Sequence, residues 1–215
     1  MTGALILAGG GSLRMGRDKA WLDLDGRPLL IHVLTRLAPR CSPLVIGAAP
    51  GQELPPWDGI PELEAVTIER VDDPSVDAGP LVGVAGGLAR LDALGVSRAY
   101  VSSCDAAGLS PGHVAFMLEG LEQLRREDPG VSALVPMDAE GRRHPLAAAV
   151  VVKPMLARAQ ALLDAGEARL QLWVDEARTV PAAALPDPLV LEPCNTPQQW
   201  RAWQGCYFPP RSPCD

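Results

Sequence analysis

Near its amino terminus the chain reads Ala4-Leu-Ile-Leu-Ala-Gly-Gly-Gly11, an apolar run that breaks into three consecutive glycines. Leu5, Ile6 and Leu7 are too few and too abruptly ended for a helix, so they predict a buried strand. Gly9, Gly10 and Gly11 free the backbone for left-handed angles and remove side chains that would keep a ligand away. Consecutive N–H groups in such a turn converge into a nest for an anion. Three cations follow, Arg14 and Arg17 and then Lys19. Arginine grips phosphate through a planar fork of donors, whereas lysine acts as a mobile point charge. Strand, glycines, Arg and Lys in that order predict a triphosphate cradle. A Walker A loop is excluded, because Gly16-Arg17-Asp18 stands where Gly-Lys-Ser/Thr is required. A dinucleotide-binding Gly-x-Gly-x-x-Gly turn is excluded by Leu13 and Arg14.

The remaining chain alternates short apolar runs with helical periodicities. Strands are predicted over 44–48, 65–71, 98–103, 131–136, 146–152 and 189–191, and Trp21 to Gly26 is a short extended piece ending in an Asp-Gly turn. Helices are predicted from Pro28 to Pro39, through Leu81 to Leu91, from Ser110-Pro111 through Leu124, and from Pro154 through Leu163. A last helix opens on the capping box Thr196-Pro-Gln-Gln199. Residues 131–152 read as a hairpin turning near Glu140-Gly141, and 171–180 fits helix and strand equally. Gly83, Gly86 and Gly87 each lower helix propensity by about 1 kcal/mol; a close approach of their helix to a loop or ligand would offset that. Strand and helix in alternation predict a mostly parallel sheet with helices on both faces. Residues 1–205 are expected to form one domain, with 206–215 as a C-terminal tail.

In such sheets ligands bind beyond the carboxyl ends of the strands. The glycine turn, Asp73, Asp105 and Asn195 each follow a predicted strand and are expected to share one cleft. Asp105, in Ser-Ser-Cys-Asp, suits Mg²⁺, which takes one or two carboxylates plus substrate phosphates; the alternative is a turn-capping role. Asp73 is preferred to Asp72 and Asp77 because it begins the segment leading to Gly79-Pro80. Arg142, Arg143 and His144 are either a solvated hairpin tip or contacts for an anionic second substrate. Asn195 is free to face the cleft, since Thr196 already supplies the helix cap. His32 and His113 are expected to be packing or surface residues. Cys104 has no His placed as its base, so thiol catalysis is not expected.

Charge and cysteine usage narrow the classes further. Nineteen Lys and Arg against 26 Asp and Glu leave a formal charge of −7, a poor basis for binding nucleic acid. No run reaches the roughly 18 apolar residues of a membrane span, and no signal peptide is expected at the start. The five cysteines are scattered and lack a Cys-x-x-Cys pair, which predicts a reducing, cytoplasmic setting.

Leu7-Ala8-Gly9-Gly10, followed by Ser12-x-Arg14-Met15-Gly16-x-x-Lys19, resembles the signature of the nucleotidyltransferases that include the molybdenum cofactor guanylyltransferases. Asp73 leading to Gly79-Pro80-Leu81-Val82-Gly83, Cys104-Asp105, His144-Pro145-Leu146 and Asn195-Thr196-Pro197 follow in that family's order, so the likeness runs from residue 4 to about 204. It implies a Rossmann-like three-layer nucleotidyltransferase fold. The implied reaction joins the phosphate of Mo-molybdopterin to the α-phosphorus of GTP, with Mg²⁺, and releases pyrophosphate. By the resemblance, Leu7, Ala8, Gly9, Gly10, Arg14, Gly16, Lys19, Asp73 and Gly79 would bind the nucleotide, Asp73 on its guanosine side. Arg14, Lys19 and Asp105 would be catalytic, with Asp105 on the metal. His144 would meet the acceptor, and Asn195 the acceptor's pterin side or the metal. Implied partners are molybdopterin-transfer proteins or molybdoenzyme chaperones, not nucleic acid or membrane. Related cytidylyltransferases tend to carry Ala where this chain has Gly9, which favours guanine. Gly47-Ala-Ala, Pro193 and the thinned basic run at Glu167-Ala-Arg169 depart from the pattern. A cytidylyl- or uridylyltransferase, another phosphorylated acceptor such as cobinamide phosphate or a sugar phosphate, and a non-catalytic partner of cofactor insertion are the competing readings.

Overall fold

A computed structural model describes residues 1–9, 18–75 and 79–192. β1 (Thr2–Leu7) is followed by a one-turn 3₁₀ segment (Lys19–Trp21), the two-residue strands β2 (Asp23–Leu24) and β3 (Arg27–Pro28), and α1 (Leu29–Leu37). β4 (Leu44–Ala48), β5 (Ile68–Asp72), α2 (Pro80–Ala93), β6 (Arg98–Ser103) and α3 (Pro111–Glu127) come next. β7 (Ala133–Met137), β8 (Ala147–Val151), α4 (Val152–Asp164), α5 (Leu170–Trp173) and β9 (Arg178–Pro181) follow, ahead of short 3₁₀ turns at Ala182–Ala184 and Pro188–Leu191. The described strands form one seven-stranded sheet in the order β5-β4-β1-β6-β8-β7-β9, plus the small β2-β3 ribbon. All pairs in the large sheet are parallel except those of β8, which runs antiparallel to both β6 and β7.

The apolar run of β1 explains its central position. Ala4, Ile6 and Ala8 face one core layer, and Leu5 and Leu7 face the other. Both faces are buried, as a parallel strand between helix layers requires. On the first face lie Leu30, Leu34 and Leu37 of α1 with Val114, Met117 and Leu121 of α3. On the second lie Leu81, Val84, Leu88 and Leu91 of α2, with Val152 and Met155 of α4. Trp173 of α5 closes this second layer, fully buried, its indole N–H donating to the Met155 carbonyl (2.9 Å).

The glycines of α2 serve this packing rather than a ligand alone. A Cβ on Gly87 would run into the Leu5 side chain, and one on Gly83 would stand 3.3 Å from Leu7 Cδ2 and 3.2 Å from Asp73 Oδ1. The helix therefore lies close against β1 and the end of β5.

Several local expectations are corrected. Residues 65–67 are not strand: a 3₁₀ turn at Pro61–Leu63 precedes them, and β5 begins at Ile68. Pro28 pairs with Asp23 in the ribbon and caps α1 from outside instead of starting it. α4 starts two residues before Pro154, which its first turn tolerates because the proline nitrogen has no helical acceptor there. The ambiguous stretch 171–180 divides into the end of α5 and β9. Leu189-Val-Leu191 forms a 3₁₀ turn (Pro188–Leu191), begun by Asp187, whose carboxylate accepts from the Leu189 N–H (3.3 Å). The hairpin turn near Gly141 (φ +79°) and the Asp25-Gly26 turn (φ +53° and +79°) are present. Among the described residues no helix is long and apolar enough to cross a membrane.

Candidate active site

The strand order changes direction at β1. The chain moves outward to β4 and β5 on one side, then returns to place β6 on the other. Such a switch point leaves a crevice beyond the carboxyl ends of the two central strands. Ala8-Gly9 leaves β1 on one side of it, and Cys104-Asp105 leaves β6 on the other. Because β8 is antiparallel, its beginning, with His144-Pro145-Leu146 just before it, reaches the same edge as the ends of β6, β7 and β9.

Lys19 and Asp105 meet across this crevice. The Lys19 ammonium lies 2.6 Å from Asp105 Oδ2, and each side chain keeps about a fifth of its surface exposed (19% and 20%). The other oxygen, Oδ1, accepts from the Ser103 hydroxyl (2.5 Å). Both carboxylate oxygens are therefore engaged by side chains, not by the turn backbone, which closes on the carbonyl of Asp105 instead (Ala107 N–H to Asp105 O, 2.8 Å). A residual fifth of exposure leaves both groups within reach of a ligand in the crevice.

Gly9 is small for a steric reason. A Cβ there would stand 2.9 Å from the Ala49 nitrogen, 3.3 Å from the Ala48 carbonyl carbon and 3.2 Å from Asp73 Oδ2. The ends of β1, β4 and β5 thus converge on Gly9. The Asp73 N–H donates to the Ala48 carbonyl (2.8 Å), which holds its carboxylate between Gly9 and Gly83. Burial, with Asp72 beside it, raises the Asp73 carboxyl above the usual carboxylate range. Gly79 has φ +84° and precedes Pro80 at the start of α2, its carbonyl accepting the Val82 N–H (3.2 Å). Leu7 and Ala8 are buried and turn the end of β1 into the core.

A cavity of about 600 Å³ opens beside Asp105, lined by Ser103, Arg143, His144, Gln171, Val190 and Glu192 among others. Its volume is in the range of small-molecule sites. His144 Nε2 pairs with Asp138 Oδ2 (3.1 Å). The Arg142 backbone N–H, and then His144, hold the Asp138 carboxyl below its usual range. Arg142 points outward, with 70% of its side chain exposed and only a distant ion pair to Asp138 (3.9 Å). Arg143 differs: its Nε is shut off from solvent and has no hydrogen-bond partner among the described residues. All three members of the hairpin cluster line the cavity, Arg142 as the most solvated of them.

Cys104, His113 and His32 are held by the core and by the loop after Asp105. Burial pushes the Cys104 thiol far above its usual range. His113 is fully buried in the core at ring contact with Tyr100 (centroids 5.9 Å, nearly perpendicular). His32, on α1, donates from Nε2 to the Ala107 carbonyl (3.1 Å) and braces the loop after Asp105. Gly10, Arg14, Gly16 and Asn195, all expected at the site, lie outside the described residues. Sequence reading missed Gln52, Ser103 and Gln171. Gln52 sits in a Pro- and Gly-rich loop where nothing in the sequence marks it.

Among the described residues no group of three or more His, Cys, Asp or Glu is close enough to hold a metal by itself. Mg²⁺ at phosphate-transfer centres needs only one or two carboxylates, with substrate phosphates and water completing its shell. Asp105, at a strand end and partly exposed, fits that donor set.

The doubly covered sheet, with Gly9 and the Lys19–Asp105 pair at its switch point, describes an α/β protein with a crevice at its strand ends. Residues 4–180 match the family described as MobA-like NTP transferase domain. The chain belongs to this family and is a nucleotidyltransferase. It is 36% identical over 173 residues to a probable molybdenum cofactor guanylyltransferase of Mycobacterium tuberculosis, covering 80% of this chain and 78% of that one. A Mycobacterium marinum protein of the same description is 34% identical over 177 residues, covering 81% and 80%. Among solved structures, molybdopterin-guanine dinucleotide biosynthesis protein A from Archaeoglobus fulgidus superposes with a TM-score of 0.69 at 18% identity, over 96% of this chain and 98% of that one. The 2-C-methyl-D-erythritol 4-phosphate cytidylyltransferase of Thermus thermophilus superposes with a TM-score of 0.63 at 18% identity, over the same shares. These two likenesses speak for the fold.

Proposed function

We propose that this nucleotidyltransferase transfers GMP from GTP to the phosphate of Mo-molybdopterin, forming molybdopterin guanine dinucleotide and releasing pyrophosphate. The observation that carries the reading is the Lys19–Asp105 pair across the switch point, with Gly9 at the end of β1 on one side and the 600 Å³ cavity on the other. The names of the relatives support both the acceptor and the guanine nucleotide.

In this reading the nucleotide triphosphate lies over the glycine turn and the acceptor phosphate enters from the cavity. An acceptor phosphate oxygen attacks the α-phosphorus in line, forming the new O–P bond. The bond to the β-phosphate breaks, and its electron pair leaves with pyrophosphate. The attacking oxygen is already anionic, so no strong base is needed, in keeping with the burial of His113 and Cys104. Arg14 and Lys19 neutralise the triphosphate. An ammonium has three donors, so Lys19 can keep its contact with Asp105 while binding a phosphate oxygen. Asp105 would hold Mg²⁺, which when bound supplies charge neutralisation on the non-bridging and leaving oxygens. Arg143 would offer the end of its guanidinium, and His144 its ring, to the anionic acceptor.

Pyrophosphate release with each of the four nucleoside triphosphates, in the presence of Mo-molybdopterin and Mg²⁺, tests this. Turnover is expected with GTP. Turnover with CTP but not GTP would overturn the guanine assignment, and no turnover with any nucleotide would overturn the proposal.

A further inference from the structure

Lys19 reaches Asp105 from a single 3₁₀ turn, too short to hold a lysine in place by itself. The turn is mounted on the segment 49–53, which follows β4. The mount is the carboxamide of Gln52, half-buried, with all three of its hydrogen-bonding functions in use. Its Oε1 accepts from the Ala49 N–H (3.0 Å), and its Nε2 donates both to the Ala8 carbonyl at the end of β1 (3.1 Å) and to Asp18 Oδ2 (2.6 Å). The other oxygen of Asp18 caps the turn by accepting from the Ala20 N–H (2.9 Å). A second tie runs from the Trp21 indole N–H to the Glu53 carbonyl (2.9 Å).

The mount is itself braced from β5. Arg70 donates to the carbonyls of Gln52 (2.7 Å) and Ala49 (3.2 Å), and its Nε pairs with Asp72 (2.7 Å). One amide therefore links the ends of β1 and β4 to the residue preceding Lys19. Only a carboxamide fits, because the site presents two acceptors and one donor to it.

We infer that Gln52 is a positioning residue: it sets the Lys19 turn against the central strands and so aims the ammonium at Asp105 and at the phosphates bound there. The consequence for activity rests on the nucleotidyltransferase reading; the mechanical role does not. Gln52→Glu is the sharpest test. It keeps the shape, removes both donors and sets a carboxylate against the Ala8 carbonyl and the Asp18 carboxylate. Gln52→Ala removes the contacts without adding a charge and serves if the first variant folds poorly.

Two measurements decide the matter. Without any nucleotide, hydrogen exchange at the Ala20 amide should quicken at least about tenfold in either variant while exchange in β1 and β6 is unchanged; an unchanged Ala20 rate would overturn the inference. With nucleotide, the apparent KM for the triphosphate should rise about tenfold with kcat within about twofold. That rise should vanish when measured in a Lys19→Ala background, since Gln52 acts through Lys19. A loss that simply adds to that of Lys19→Ala would also overturn it. If the wild-type protein turns over no nucleotide, the functional reading fails, and the exchange measurement still decides the role of Gln52.

Discussion

Gly108→Ala should separate the acceptor half of the site from the nucleotide half. Gly108 lies in the loop after Asp105, and its backbone touches the 3₁₀ turn at Pro188–Leu191. A Cβ added there would stand 2.5 Å from the Leu189 carbonyl oxygen, 2.7 Å from its carbon and 3.0 Å from the Val190 nitrogen. Ordinary contacts begin near 3.4 Å, so the overlap approaches 1 Å. All three atoms belong to backbone, so no side chain can rotate away and the two segments must part. Overpacking of this kind costs about 1–3 kcal/mol. For a chain of this length that is a fall in Tm of roughly 2–12 °C. Val190, now 8% exposed, would lose part of its seat in the core. The cavity wall formed by Val190, Leu191 and Glu192 would shift with it. Differential scanning calorimetry should register the Tm fall, and steady-state kinetics should show a raised KM for the acceptor with the KM for nucleotide unchanged. A variant with wild-type Tm and wild-type acceptor KM would refute the reasoning, as would a change confined to the nucleotide.

Gly9→Ala should act on the other half: the new Cβ would press on the Ala49 nitrogen and the Asp73 carboxylate, costing about 1–2 kcal/mol. A raised nucleotide KM with an unchanged acceptor KM is the kinetic signature to look for. Acid should destabilise the protein through two histidines. His113 is lowered to about 4 by burial, and His32 to about 4 by burial and then by Arg36. A histidine whose folded pKa lies below its unfolded value of about 6.5 leaves the unfolded state to take up the proton first, so stability is full above that pH and falls as the pH drops toward 4. Each contributes about 3 kcal/mol to that loss, against a total stability of about 5–15 kcal/mol. Acid titrations followed by circular dichroism should find the unfolding midpoint of His113→Leu lower than that of the wild type by about half a pH unit or more; an unchanged midpoint would remove His113 from the account.

The central strands were legible because a parallel strand buried on both faces leaves an apolar run, as in β1 and β4 and, more briefly, in Ala99-Tyr-Val101 of β6. A shared cleft for the glycine turn and Asp105 was expected from strand ends alone; the direct contact of Lys19 with Asp105, 86 residues apart, was not. Local turn chemistry was legible at Asp25-Gly26 and Gly141, where glycine supplies the positive φ. The misreadings share one physical cause: the partner of a segment decides its form. Leu189-Val-Leu191 has a strand's composition, yet Asp187-Pro188 starts a tight turn and Gly108 offers it a backbone surface instead of a ladder. The glycines of α2 were expected to let the helix approach a loop or a ligand, and their smallness admits Leu5 and Leu7 of β1 as well as Asp73. Gln52 could not be seen at all, because its importance lies in three atoms that only the folded chain brings around it.

The central claim is that nucleotidyl transfer occurs where Lys19 meets Asp105, and Asp105→Asn tests it most directly. Asparagine keeps the volume and the Ser103 contact while removing the charge that faces Lys19 and would hold Mg²⁺. Pyrophosphate release from GTP with Mo-molybdopterin and Mg²⁺ should fall at least about a hundredfold, as when one charge-stabilising group is taken from a transfer centre, while the circular dichroism spectrum stays that of the wild type. A well-folded Asp105→Asn protein that releases pyrophosphate at close to the wild-type rate would contradict it.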